Sequence, residues 1–115
     1  MTAIYKILRR EAWVAAQTAG TFAGSAVDLH DGYIHFSTAA QAEETARKHF
    51  AGQAGLVVLE IPAEILGPTL KWEPSRGGAL FPHLYAPLDV RCVTAVHDAP
   101  LGADGVPVLK FLAAL

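Results

Sequence analysis

Two stretches of this chain gather the side chains able to move a proton or grip a polar ligand. The first reads Asp31-Gly32-Tyr33-Ile34-His35-Phe36-Ser37-Thr38. It joins an imidazole, His35, to the hydroxyls of Ser37 and Thr38 where a strand is expected to run into a helix. The free amides of a helix start beside a titratable ring suit an anion or a ribose. A second reading stands beside it, in which Ser37 and Thr38 only cap the helix and His35 is a hydrogen-bonded core residue. The other stretch runs from Trp72 to Tyr85 and holds Glu73, Arg76, the glycine pair Gly77-Gly78, His83 and Tyr85. Arg76 there could clasp a phosphate or carboxylate with two parallel bonds, Tyr85 could stack on a ring, and Glu73 or His83 could transfer a proton. The plainer account is a tight turn with packing aromatics and a surface pair between Glu73 and Arg76.

Other chemistry finds less footing. Asp28, His30, Asp31 and His35 match no standard metal-ligand spacing, so no metal site is expected. Cys92, the single cysteine, has no adjacent base and reads as a small buried apolar residue in a strand. Gly77-Gly78 lacks the lysine and hydroxyl of a phosphate loop, and GxGxxG is absent.

The elements that must hold these residues follow from hydrophobic period and punctuation. Ile4 to Leu8 reads as a strand, followed by a helix over Glu11 to Thr18 that Gly20 can end. Asp28 to Gly32 reads as a turn leading into a strand at Tyr33 to Phe36. Its period of two sends Tyr33 and His35 to one face and Ile34 and Phe36 to the other. Thr38 with Gln41 makes a capping box opening a second helix that reaches about Phe50, with Ala39, Ala42, Ala46, His49 and Phe50 as its buried stripe and Gly52 as its stop. Leu56 to Ile61 is apolar on both faces, as a central strand is. A helical turn over Pro62 to Leu66 and a strand over Leu70 to Glu73 follow. Pro82 confines the extended run Leu80 to Tyr85 to a sheet edge or a bulge. Val90 to His97 and Val108 to Leu112 are expected to close the sheet as paired strands joined through Asp104-Gly105.

These elements fit one domain over residues 1–115. The chain is 52% hydrophobic with charges spread throughout, a composition that folds around one core. Met1 to Arg10 does not read as a secretory signal, and no apolar run approaches the length of a bilayer span, so a cytoplasmic protein with no membrane partner is expected. The net charge of -2, with scattered arginines and lysines, gives no basic stripe for duplex nucleic acid. A single nucleotide needs only two or three positive groups and remains open as a partner.

The strings Asp31 to Thr38, Trp72-Glu73 and Phe81-Pro82-His83-Leu84-Tyr85 closely resemble the bacterial domain-of-unknown-function family 952 over nearly the whole chain. That family in turn resembles the ADP-ribosyltransferase-like superfamily, and most of all the NAD-dependent RNA 2'-phosphotransferases. Their Tyr-His-Gly strand falls on Tyr5-Lys6-Ile7, their His-Leu-Ser strand on His35-Phe36-Ser37, and their glycine-containing turn and strand on Arg76 to Leu84. Lys6 stands in place of the first-strand histidine, and no glutamate stands at the third catalytic position.

The resemblance implies an α+β domain with a mixed, mostly antiparallel curved sheet and two main helices. It implies His35, His83 and Glu73 as catalytic candidates and Lys6, Ser37, Thr38, Arg76 and Tyr85 as substrate-binding candidates. No cofactor is established, and NAD is a candidate substrate. The functional expectation is a nucleotide- or NAD-dependent transferase. Its alternative is a non-catalytic nucleotide-binding or protein-interaction module.

Overall fold

The computed structural model describes residues 1–75 and 77–115. The run Leu56-Val57-Val58-Leu59-Glu60-Ile61 organises the larger sheet. It forms β5 (Leu56–Pro62), which pairs antiparallel with β1 (Ala3–Arg9) on one side and β9 (Ala95–Ala99) on the other. A two-residue strand β4 (Ser37–Thr38) adds to the free side of β1, giving the order β4-β1-β5-β9. Both faces of β5 are covered, which is why its residues are apolar without alternation. Val57, Leu59 and Ile61 join Ile4, Leu8, Trp13, Phe22, Ile34 and Leu84 in one core. Leu56 and Val58 join Tyr5, Ile7, Ala42, Ala46 and Leu109 in another.

Helix α1 (Arg10–Ala19) follows β1 directly and ends at Gly20. It buries Trp13 and Ala16 against the first core. Helix α3 (Ala39–His49) opens on the Thr38/Gln41 capping box, with the Thr38 amide donating to Gln41 Oε1 at 3.1 Å. Its contact with the sheet is made by Ala42 and Ala46, both fully buried; small side chains let the helix backbone approach the strands. The expected stripe was wider, but His49 remains exposed.

Two smaller sheets complete the fold. Strands β2 (Thr21–Phe22) and β8 (Leu88–Asp89) pair with each other, and β3 (Ile34–His35), β7 (Ala79–Leu84) and β6 (Leu70–Ser75) form a three-stranded sheet in the order β3-β7-β6. Every strand pairing among the described residues is antiparallel.

Several expectations need correction. In place of an ADP-ribosyltransferase-like arrangement of one mixed, curved sheet with two main helices, the described residues form three separate antiparallel sheets. The helical elements among the described residues are α1, α2 (Ala26–Asp31), α3 and 3-10 turns at Val90–Cys92, at Lys110–Ala114 and within Ala63–Thr69, where Gly67 (φ +69°) interrupts them. Asp28 to Gly32, read as a turn, lies largely in α2, because Ser25 and Asp28 form a capping box that sequence periodicity over six residues does not reveal.

Pro82 lies in the central strand of its sheet, not at an edge. Its carbonyl accepts the Phe36 amide at 3.0 Å. The N–H and C=O of a strand residue point to the same side, so the missing donor faces the side where β3 has already ended. Residues 108–112 form no strand; Leu101 and Pro107 make an isolated bridge and the chain then coils into 3-10 turns. No helix among the described residues is long and apolar enough to cross a membrane.

The loop before α2 has one position with no room to spare. Gly24 has φ +123°, and a Cβ there would stand 2.8 Å from the Asp28 Cβ. Gly24→Ala should therefore destabilise the protein by about 2–4 kcal/mol, combining backbone strain with overpacking. Chemical denaturation measures this, and a midpoint equal to that of wild type would show that the loop relaxes freely.

Candidate functional site

The three-stranded sheet segregates its side chains by period. In register, His35 lies opposite His83, and His83 opposite Lys71. Directly opposite residues share a face, as do residues two apart. Tyr33, His35, His83, Tyr85, Lys71 and Glu73 therefore all point to one side. Ile34 and Leu84 point to the other, into the first core, where Leu70 packs against them.

Helix α2 supplies the support for this polar face. It ends at Gly32, whose φ of +88° turns the chain sharply and delivers Tyr33 to the start of β3. Asp28, 2% exposed, is the hub. Its Oδ2 accepts the Ser25 amide at 2.8 Å and lies 2.8 Å from the ammonium of Lys6 on β1. Its Oδ1 accepts the His35 amide at 3.1 Å and faces His35 Nδ1 at 2.6 Å. The other ring nitrogen, Nε2, lies 2.9 Å from Asp31 Oδ2. An imidazole can donate to two carboxylates only with a proton on each nitrogen.

Burial alone would raise the Asp28 carboxyl. The His35 hydrogen bond, the Lys6 charge and the Ser25 amide outweigh it and hold the group well below the usual carboxylate range. Burial pulls the Lys6 ammonium down, against the opposing pull of Asp28. Asp31 is also lowered, first by its hydrogen bond with His30 and then by the charge of His35.

A second acid–imidazole pair stands next to this one and is built differently. Glu73 Oε1 lies 2.8 Å from His83 Nδ1 and accepts the Tyr85 hydroxyl at 2.7 Å. The two bonds hold Glu73 below its ordinary value, Tyr85 first and His83 next, and Tyr85 in turn is pushed up to about 12. With Nδ1 donating to Glu73, Nε2 of His83 carries the lone pair whenever the ring is neutral, and no described residue bonds to it. The rings form a cluster: Tyr33 stacks on His83 at 4.1 Å between centroids, Tyr85 is 5.2 Å from Tyr33, and the two imidazoles are 5.5 Å apart.

The structure thus brings His35, His83, Glu73 and Tyr85 together as neighbours on one face, not as facing walls of a cleft. A groove of about 450 Å³ lined by Thr2, Ala63, Glu64, Gly67, Leu70 and Trp72 contains none of the expected site residues. Lys6 reaches the cluster only as the buried partner of Asp28. Ser37 and Thr38 do not join it: Ser37 is buried with its hydroxyl on Thr45 at 2.8 Å, and Thr38 caps α3. Arg76 lies outside the described residues. Among the described residues, no group of three or more His, Cys, Asp or Glu side chains could hold a metal ion.

Sequence reasoning passed over four members of the face. Tyr33 was placed on the His35 side by the period of two but given no role. Lys71, exposed opposite His83, would have emerged from the same alternation. Asp28 and Asp31 were weighed only as metal ligands. Their spacing to His35 makes sense once a helix, not a turn, precedes the strand.

The family model described as "Protein of unknown function (DUF952)" matches residues 7–96. A crystal structure of protein CC0527 from Caulobacter crescentus is similar at 60% identity, covering 99% of this chain and 100% of that one, with a TM-score of 0.95. A solution NMR structure of CC0527 is 61% identical over 96% of each chain, with a TM-score of 0.86. No curated protein matches the chain.

The buried ion pair generates a test. Asp28→Asn leaves the Lys6 charge buried without its partner and should cost about 3–5 kcal/mol, whereas adding Lys6→Met should recover much of that loss. The Asp28 carboxyl lies lower in the folded than in the unfolded chain. Its contribution is therefore complete above the ordinary carboxylate value, roughly pH 4, and disappears as pH falls further. Urea unfolding between pH 2 and pH 7 should show this acid loss in wild type and a shallower one in the double variant. Equal slopes would mean that Asp28 does not govern acid stability.

Proposed function

The chain belongs to the DUF952 family, and from the arrangement of its polar face we propose that it binds a small nucleotide-like molecule at an acid–base centre formed by Glu73 and His83. One observation carries the reading: a single oxygen of Glu73 lies 2.8 Å from His83 Nδ1 and accepts the Tyr85 hydroxyl, and among the described residues Nε2 of His83 has no partner, so in the neutral ring it is the lone-pair nitrogen on that face. That is the arrangement a general base requires, with an orienting carboxylate behind the ring.

The roles divide by partner. His83 Nε2 accepts a proton from the bound molecule, and Glu73 orients the ring and stabilises the imidazolium that forms. Tyr85, 42% exposed, fixes Glu73 and offers its ring for stacking. His35 is a positioning residue, since both of its nitrogens are already engaged by Asp28 and Asp31. This revises its expected part in holding a ribose hydroxyl. Lys71, exposed and opposite His83, is a cation among the described residues that a phosphate can meet, a part expected of Arg76. NAD is one molecule this reading admits, and transfer of its ribosyl group is the most specific reaction.

A binding module without turnover is the second reading. The near-complete burial of His83, at 3% exposure, favours it, because a catalytic base must reach its substrate.

Titration of the labelled protein with adenosine monophosphate and with NAD, followed by NMR, should shift the resonances of His83 and Tyr85. His83→Ala should weaken that binding at least about tenfold. A nicotinamide-release assay with NAD separates the two readings: turnover that falls on the order of 100-fold in Glu73→Gln supports an acid–base enzyme. Binding without release supports the module, and unaltered affinity in His83→Ala removes the site.

A further inference from the structure

His83 is 3% exposed although it stands on the face of its sheet turned away from the first core. The Tyr33 ring stacks over it at 4.1 Å with the planes 24° apart, and also meets His35 at 4.6 Å and Tyr85 at 5.2 Å. Tyr33 is held differently from its neighbours. Among the described residues its hydroxyl has no hydrogen-bond partner, whereas Tyr85 is tied to Glu73 and His35 to two aspartates. Its backbone amide donates to the Asp28 carbonyl at 3.2 Å, and its ring is met by the rings of His83, His35 and Tyr85. It follows Gly32, the left-handed glycine that ends α2 with its amide on the Asp28 carbonyl, so the movement open to Tyr33 is rotation of its side chain.

We infer that Tyr33 is a gate over His83: its ring occupies the position that a planar ring of the bound molecule takes when Tyr33 swings aside. The inference rests on reading His83 as the centre of the site, and it adds both a ligand class and a selecting residue. A molecule that can replace a stacked tyrosine must itself be flat and polarisable, as a nucleobase or a nicotinamide is. A sugar phosphate without a ring system of that kind cannot. While Tyr33 is in place it competes with the ligand, so the apparent affinity is reduced by the fraction of molecules in which the gate is open.

Carbethoxylation by diethyl pyrocarbonate tests the gate independently of any ligand. The unprotonated ring nitrogen attacks a carbonyl carbon of the reagent, forming an N–C bond. Ethyl carbonate leaves, takes up the ring's N–H proton and decomposes to ethanol and carbon dioxide. Peptide mass spectrometry then reads each histidine, with His30, whose side chain is 87% exposed, as the internal reference. In wild type and in Tyr33→Phe, which keeps the stack, His83 should react at least about tenfold more slowly than His30. In Tyr33→Ala that gap should close. Tyr33→Leu, which fills space but cannot stack flat, replaces the alanine variant if the latter does not fold. His83 reacting as fast as His30 in wild type, or staying protected in a folded Tyr33→Ala or Tyr33→Leu protein, would overturn the gate.

Adenosine monophosphate and ribose 5-phosphate test the ligand class. The former should bind Tyr33→Ala at least about threefold more tightly than wild type, and the latter should bind neither protein measurably. Weaker binding of the adenosine monophosphate by the variant, or equal binding of the two ligands, would overturn the competition. Acceleration of His83 modification stands whatever His83→Ala does to nucleotide binding, so the gate and the acid–base reading fail separately.

Discussion

The carboxylate of Asp28 is the constraint on which the polar half of this fold depends. It is almost fully buried, and it touches three elements: the ammonium of Lys6 on β1, the Ser25 amide that opens α2, and both the amide and the ring of His35 on β3. A buried carboxylate is tolerable only when its lone pairs are met, and here four donors converge on two oxygens. Because one donor stands on β1 of the large sheet and two on β3 of the small one, the carboxylate ties the small sheet to the large one. Removing it would orphan the Lys6 charge, which is 5% exposed, and leave the His35 ring unanchored on one side.

From that anchor the alternation of the three-stranded sheet does the rest. Ile34 and Leu84 bury against the first core, and their neighbours Tyr33, His35, His83 and Tyr85 are thereby forced to the other side. Register matters more than composition here. A slip of one residue would send the two imidazoles into the apolar core and the aliphatic pair out into the polar cluster. The cost of burying them unpartnered is what holds the strands in place. The polar face is thus a consequence of how the sheet packs as well as a candidate site.

What was legible in the sequence was local. The Thr38/Gln41 capping box, the two-sided apolarity of β5 and the shared face of Tyr33 and His35 each depend on residues within a few positions of one another, and all three stand in the structure. The failures were of two kinds. Short elements held by tertiary contacts were misread: α2 has six residues, too few for a helical period, and its capping box includes the same Asp28 that binds Lys6. Rules were also applied without the neighbouring strand in view. Pro82 was assigned to an edge or a bulge because a central strand needs its donors, but β3 ends where the missing donor would have been used. The Lys6–Asp28 pair, twenty-two positions apart in sequence, left no local trace at all.

The two neighbouring histidines show why residue type alone does not locate chemistry. His35 and His83 are paired in register and lie on the same face, and sequence reasoning counted both as catalytic candidates, His35 toward a ribose hydroxyl and His83 toward proton transfer. Their partners distinguish them. His35 has a carboxylate at each nitrogen, so both nitrogens are engaged and its ring cannot turn without breaking those contacts. His83 has a carboxylate at one nitrogen only, and that carboxylate is itself fixed by Tyr85. A base needs one side held and the other free. By that criterion the chemical capacity of this face lies with His83, and the role of His35 is to join the strand that carries Tyr33 to the buried carboxylate on which the small sheet rests.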